Sequence, residues 1–479
     1  MATRAHPTPP PLTARGDGVV VNDVHSRLNA TRVARIATVR SAGEVADVVL
    51  AARAAGDAVC VRGGGHAMGG QQYATGGVLI DTAALRRPLH LDASRGLAEV
   101  EAGMQWPDLL AWLGDTQRGA RIPWTIAQKQ TGADRLSLGG AVAANVHGRG
   151  LAMRPFVDDV EALALVDAEG RRIRCSRHER PELFRHVVGG YGLFGVVTAV
   201  TLRLVPRRQL ERVVEVRLVD DLDAAFAQRV AAGHLYGDFQ FAIDPASDDF
   251  LRRGVLSTYR PVGEPRPIPA SQRALTTDDW RRLLLLAHVD KARAFREYAA
   301  HYVATDGQRY WSDEHQLGTY VDDYHLALDD AMGAVAPGSE MISELYVPRA
   351  RLADFMAACA DTLRRRAANV VYGTVRLIER DVETALPWAR EPWACVVFNL
   401  HVDHTTDGIA HAADVFRALI DLARQRDGSY YLTYHRWATR EQLLGCHPEV
   451  PTWLRAKRQR DPTGVFQSDW WRWMVALLG

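Results

Sequence analysis

The residues best suited to chemistry fall into three glycine clusters in the first half of the chain and two polar-studded strands in the second. The first cluster, Arg62-Gly63-Gly64-Gly65-His66-Ala67-Met68-Gly69-Gly70-Gln71-Gln72, follows the short strand-like run Ala58–Arg62. Consecutive glycines let a backbone take positive φ and turn several N–H groups inward, which makes a nest for phosphate oxygens. The second runs from Ser137 to Gly150 and includes Gly139, Gly140, Ala143, Asn145, His147 and Gly148. Its small side chains would let a flat ligand approach the backbone closely. The third, Gly189–Gly195, contains a formal GxGxxG from Gly190 to Gly195. A dinucleotide fingerprint of the Rossmann type must follow a strand and open a helix. Here a helix-like stretch, Pro181–Val188, comes first and an alternating β-branched run, Val196–Val205, comes after. The context is inverted, and a Rossmann NAD site is rejected. Any one cluster reads equally well as a tight turn; the order and spacing of all three carry the signal.

The two strands place polar side chains where a core strand would be apolar. In Val371–Ile378, Thr374 and Arg376 share a face; in Val396–His404, Asn399, His401 and Asp403 share a face and His404 points the other way. Such a face is either the polar floor of a pocket or an ordinary solvent-facing sheet surface, and the pattern alone leaves both open. His401 is the candidate base, because imidazole titrates near neutral pH. Arg376 is suited to hold an anion or a developing alkoxide, and Tyr434 and His435 offer further polar contacts. The run His401, Asp403, His404, Asp407, His411 has no HExxH or other zinc-ligand spacing, so no metal is expected there.

The elements that would position these groups alternate strand and helix signals. Ser41–Ala55 has helical apolar spacing and stops at Gly56, Gly77–Asp81 and Leu97–Ala102 read as strands, and Trp106–Leu113 reads as a helix with Pro107 in its first turn. Val160–Asp167 is β-rich. After Pro206 the texture changes: Glu211–Val219 is strand-like and Asp221–Ala232 helical. Gly254–Ser271, with four prolines, reads as an irregular loop. Two strand–helix cycles follow, Met341–Val347 with Arg349–Ala367 and Ala394–Val402 with Ile409–Gln425.

A chain of 479 residues is too long for one hydrophobic core. With 47% hydrophobic and 24% charged residues it has the composition of a soluble globular protein. A net charge of +1 gives no global field for nucleic acid or an anionic membrane. Five scattered cysteines without a CxxC pair suit a reducing compartment. The N-terminal MATRAHPTPPPLTARG has no apolar core of a signal peptide and reads as a disordered tail. No apolar run approaches the ~18 residues of a membrane span, and the location expected is cytoplasmic. The Trp-rich end, Trp470–Leu478, reads as a helix packed on the protein or at a dimer interface rather than one touching a membrane.

Taken together, the three clusters resemble the flavin domain of the vanillyl-alcohol oxidase superfamily, which includes berberine-bridge-type, aldonolactone and alditol oxidases. The resemblance implies an α+β fold: a PCMH-type FAD-binding domain over residues 1–206, a sheet-and-helix substrate cap over 207–435, and a C-terminal return over 436–479. Asp461–Gln467 is similar to that family's return segment. Arg62, Gly63 and His66 stand in the register of the segment that wraps the FAD pyrophosphate, and the resemblance implies an 8α-histidyl bond from His66 to FAD. Gly139–Gly148 resembles the stretch beside the flavin and Gly192–Thr198, with Gly195 and Val196, the third element. Gln130–Gly150 holds no cysteine, so the second, cysteinyl bond of berberine-bridge-type enzymes is not expected.

In alditol oxidases a Glu-x-Arg strand and a Leu-His strand line the pocket, and Arg376 and His401 look like the matching pair. Thr374 stands where that family has glutamate, which weighs against an alditol. Tyr434-His435-Arg436-Trp437 is loosely similar to the family's late His-Trp-x-Lys, without the lysine. The expected activity is FAD-dependent oxidation of an alcohol in a small polar, sugar-like molecule, with O2 or another compound as electron acceptor. The alternatives are oxidation of an amine or a ring carbon, and a flavin-binding sensor or carrier without catalysis.

Overall fold

The computed structural model describes residues 18–318 and 324–479, so the expected N-terminal tail lies outside the described residues. The first layer is a parallel three-stranded sheet in the order Arg35–Thr38, Val78–Asp81, Val59–Arg62. The helix Ala42–Ala55 crosses between its outer strands. Ser41 Oγ caps the helix by accepting from Glu44 N, and Gly56 ends it at φ 72°, a left-handed turn that glycine enters without a Cβ clash. Val45, Val49 and Ala52 of this helix bury against Val166 and Val196 of a second, antiparallel sheet. That sheet has the order Arg172–Ser176, Val160–Val166, Val196–Arg203, Leu97–Glu101, Pro88–Asp92.

The third layer is an eight-stranded antiparallel sheet that begins at Gln209. Its order is Arg309–Trp311, Gln209–Leu218, Arg253–Pro261, Tyr236–Phe241, Val370–Ile378, Trp393–Asp403, Gly338–Pro348, Ser429–Tyr430. One face is apolar: Met341, Leu345, Val375, Leu377, Phe398 and Leu400 share a core with Phe355, Met356 and Leu363 of the helix Leu352–Arg365 and with Phe416, Leu419 and Ile420 of the helix Thr406–Arg424. The alternate residues therefore point the other way, and that face carries Glu340, Ile342, Glu344, Arg376 and Asn399. The α+β class and two-domain architecture expected from the sequence are present.

The stretch Gly254–Ser271 departs from its reading as a loop. Arg253–Pro261 is a central strand, paired on both sides, with Val255, Leu256 and Tyr259 buried. The four prolines begin only at its last residue, Pro261, and their density masked the alternation that precedes them. Two helices follow this strand, Thr277–Val289 behind a Thr276/Asp279 capping box and Lys291–Val303 capped by Asp290, which accepts from Arg293 N. Among the described residues no helix is long and apolar enough to cross a membrane. The Trp-rich helix Asp469–Leu478 buries Trp470 and Met474, with Trp470 against Tyr191 and Trp453.

The C-terminal segment closes on the first sheet. Val59 N donates to Val465 O and Gln467 N to Val59 O. Asp461 organises this return: its carboxylate takes the Lys457 ammonium at 2.6 Å and the backbone N–H groups of Val465 and Phe466 at 2.9 and 2.8 Å, all buried. Removing one partner of a buried pair strands the other charge. Asp461→Ala is therefore expected to lower the urea-unfolding free energy by about 3–5 kcal/mol, and an unchanged midpoint would show that the return is not clamped this way.

Histidine burial sets the pH response of the fold. Burial pushes His66 and His435 down to about 4 and His447 down to about 3. As pH falls from 6.5 the unfolded chain takes up protons that the folded chain refuses, so stability falls with pH in that window. Each such histidine contributes a slope of about 1 kcal/mol per pH unit. Urea midpoints should drop steadily from pH 7 to pH 5, and His447→Gln should flatten the slope.

Candidate active site

One large cavity of about 580 Å³ lies between the glycine loops and the polar face of the eight-stranded sheet, a size suited to a small-molecule or cofactor site. On one side, a Cβ at Gly63 would lie 1.9 Å from Ser137 Oγ, and one at Gly64 would lie 2.4 Å from Arg135 O. Gly63 thus packs against Ser137 of the second cluster and Gly64 against the backbone just before it, approaches that a side chain would block. Ser137 Oγ also accepts from Gly140 N, ordering the start of the second cluster. In the third, Gly192 (φ 75°) and Gly195 (φ 138°) make the turn from the helix Pro181–Val187 into the strand Val196–Arg203.

Arg62, Gly63, Gly64, Gly65, His66, Ala67, Gln71, Gln72, Ser137, Gly139, Gly140, Ala143, His147 and Gly195 all line the cavity. Four other residues expected at the cofactor do not, and they act behind it. Gly69 packs under Tyr434 O, where a Cβ would come within 2.3 Å. Asn145 (φ 47°) bonds Asp381 and the backbone of Val157. Gly148 packs on Lys129 O, and Val196 is core. Arg62 donates from Nε and Nη2 to Asp81 at 3.0 and 2.7 Å, which fixes its guanidinium at the loop's entrance. Burial and the neighbouring His25 lower His66 to about 4, so its imidazole is neutral near pH 7.

Of the candidates for chemistry, Arg376, Asn399 and Tyr434 line the opposite wall. His401 and His435 are not among the lining residues. His401 lies further along its strand, opposite Glu340, and His435 is buried, stacked on Trp437 with ring centroids 4.3 Å apart.

The structure adds residues that were not singled out from the sequence. Glu344, buried in the strand Gly338–Pro348, accepts from Tyr346 Oη at 2.5 Å, Tyr434 Oη at 3.1 Å and Cys395 Sγ at 3.3 Å, and lies 2.7 Å from His147 Nε2. Burial opposes its ionisation, but His147, Tyr346 and Arg376 outweigh that and hold the carboxyl below its ordinary range. A lone acid inside the apolar run Met341–Val347 was the available signal. Asp238, Gln240 and Tyr372 extend the wall: Gln240 Nε2 donates to Tyr372 Oη at 2.9 Å, and Arg149 Nη1 lies 3.6 Å from Asp238.

Several buried polar atoms of lining residues, namely Arg149 Nε, Gln240 Oε1, Arg376 Nε, Asn399 Oδ1 and Thr131 Oγ1, have no protein hydrogen-bond partner. Buried polar atoms are normally paired, so these fit a polar ligand. The glycine nests fit a pyrophosphate, and the shallow small-residue wall of Gly139, Gly140 and Ala143 fits a flat ring. The residues present therefore suit FAD.

Comparison with known proteins bears on the same region. Residues 33–176 match the family model of an FAD binding domain. Over 179 residues the chain is 32% identical to cytokinin dehydrogenase 5 of Oryza sativa subsp. japonica, which covers 35% of this chain and 32% of the relative. An uncharacterized oxidoreductase, ORF5 in the fasciation locus of Rhodococcoides fascians, is 33% identical over 165 residues, 34% of this chain and 36% of the relative. The chain therefore spans about a third of the length of these relatives. A longer match, at 24% identity over 442 residues, covers 90% of this chain and 94% of L-gulono-1,4-lactone dehydrogenase from Mycobacterium tuberculosis. The matched stretch holds the first two glycine clusters, which build part of one wall of the cavity, so residues 33–176 form an FAD binding domain.

Proposed function

We propose that this chain is an FAD-linked oxidoreductase that holds FAD through a bond to His66 and oxidises a CH–OH group of a small polar substrate. The observation that carries this reading is that Arg376, Asn399, Tyr434 and Glu344 line the same cavity as the glycine clusters. Bound FAD supplies the hydride acceptor, whose electrons pass on to O2 or another acceptor. The chain's own residues do the rest. His66, neutral near pH 7, keeps a lone pair for the covalent bond. Asn399 Oδ1, without a protein partner, accepts from the substrate hydroxyl and orients it, while Arg376, whose Nε–H is likewise unpaired, is the donor that stabilises a developing alkoxide. Tyr434 Oη already donates to Glu344 Oε2; it takes the hydroxyl proton while passing its own to the ionised Glu344, which His147 steadies from the other side. His401, outside the lining, has no part in this scheme.

A second reading is favoured by Glu344 and Asp238, two carboxylates on the wall, which would attract a cationic amine instead of an alcohol. In the third, the chain binds flavin without turning anything over.

An absorption spectrum before and after acid precipitation tests the link. Yellow colour should stay with the wild-type pellet and wash free from His66→Ala; colour that washes out of both removes the covalent bond, and a colourless protein that takes up no FAD ends the reading. With flavin content unchanged, Glu344→Gln should lower kcat by roughly 100-fold and Arg376→Ala by about 100- to 1000-fold, read as anaerobic bleaching across panels of aldonolactones, polyols and amines. Bleaching by amines alone selects the second reading, and bleaching by nothing selects the third.

A further inference from the structure

A second buried carboxylate on the same strand is held quite differently. Glu340 lies opposite His401 across the strand pair, and His288 reaches the same point from the helix Thr277–Val289. Glu340 Oε1 is 3.5 Å from His288 Nε2 and 3.6 Å from His401 Nδ1. These are not hydrogen-bond distances, and all three atoms are buried without any hydrogen-bond partner. The side chains of His288 and Glu340 are each only 3% exposed. Two imidazole nitrogens and a carboxylate oxygen thus converge within 4.8 Å of one another, leaving each unsatisfied, which buried polar groups ordinarily avoid.

The spacing is that of ligands around an ion. Zinc bonds of about 2.0–2.1 Å to nitrogen and oxygen set tetrahedral ligand–ligand edges of about 3.3–3.4 Å, close to the two separations seen here. The outer partners of metal ligands are also in place. Tyr324 Oη donates a short hydrogen bond to Glu340 Oε2, leaving Oε1 to face the histidines. Asp403 Oδ1 sits 3.4 Å from His401 Nε2, too far for a hydrogen bond but on the ring edge away from Glu340, while Nδ1 faces the carboxylate. The Glu344 cluster supplies the contrast, since its carboxylate is already saturated by donors at 2.5–3.3 Å.

We propose that His288, Glu340 and His401 bind one divalent transition-metal ion, zinc by its ligand set, with water completing the shell. The His401–His411 run lacks zinc spacing because only His401 of that run takes part, and its two partners come from distant elements. The ion ties the helix Thr277–Val289 to two strands of the large sheet. Trp280, earlier on that helix, lines the far end of the cavity, so the tie fixes one wall of the proposed substrate space. This site does not depend on the activity proposed above.

The test uses the full chain. Elemental analysis should find about one zinc per chain, removed by EDTA and restored by added zinc with a higher melting temperature. Cobalt(II) added to the stripped protein should give the intense visible bands of a four-coordinate site. His288→Gln, Glu340→Gln and His401→Gln should lose both signals, whereas His404→Gln, whose ring instead meets Ser339, should keep them. Tyr324→Phe should weaken zinc by about 10- to 100-fold. No cobalt band and no zinc-dependent shift in wild-type protein would overturn the proposal, as would signals that persist in all three ligand variants.

Discussion

The strand Gly338–Pro348 places two acids, Glu340 and Glu344, on one buried face of the large sheet, and much of the molecule is arranged around the cost of keeping them there. A buried carboxylate without compensation costs several kcal/mol even after relaxation. The surrounding chain answers from several directions: His147 from the second glycine cluster, Tyr434 from the segment after the last strand, Cys395 and Arg376 from other strands of the sheet, and His288 from the helix Thr277–Val289. His147 alone among these groups comes from the first half of the chain, so its contact with Glu344 ties the second glycine cluster to the large sheet.

The opposite wall depends on a different constraint, the lack of side chains. Gly63 and Gly64 bring the first loop into contact with Ser137 and Arg135, and a Cβ would lie 1.9 Å from Ser137 Oγ or 2.4 Å from Arg135 O, so the loops would have to shift. A wall rich in glycine and alanine and a set of charged and phenolic side chains line one cavity and give it two chemistries. One side suits a phosphate-bearing, flat cofactor, and the other suits a small molecule that must be oriented and deprotonated.

Much of the first wall was readable in the sequence, because its signal is local: glycines in a row, a strand before them, a histidine after them. The capped helix Ala42–Ala55 and the inverted GxGxxG context were readable for the same reason. The second wall was only half readable. Alternation put Arg376 and Asn399 on polar faces, but alternation cannot tell how far along a strand a cavity reaches. His401 shares its face with Asn399 yet falls beyond the cavity, facing Glu340 instead. Glu344 was passed over because a single acid in an apolar run carries no partner information; its partners lie as far as 197 residues away in sequence. The strand Arg253–Pro261 was hidden by prolines that begin at its end, a case where composition over a window overrode the order of residues within it.

The two acids also show why site chemistry cannot be inferred from residue type and burial alone. Both are glutamates on one strand, both nearly without exposure, and both are held in the ionised form, against the cost of burial, by neighbouring histidines. What separates them is the geometry of those histidines. At Glu344, His147 comes within 2.7 Å along with phenol and thiol donors, so every lone pair has a proton to meet and a passing proton has a path. At Glu340, two rings stop at 3.5 and 3.6 Å with their nitrogens turned toward the same oxygen. A hydrogen bond would draw such groups together, and simple repulsion or solvation would move them apart. A separation held between those limits is what the proposed ion would impose, and on that proposal the same residue types serve proton movement at one end of the strand and cation binding at the other.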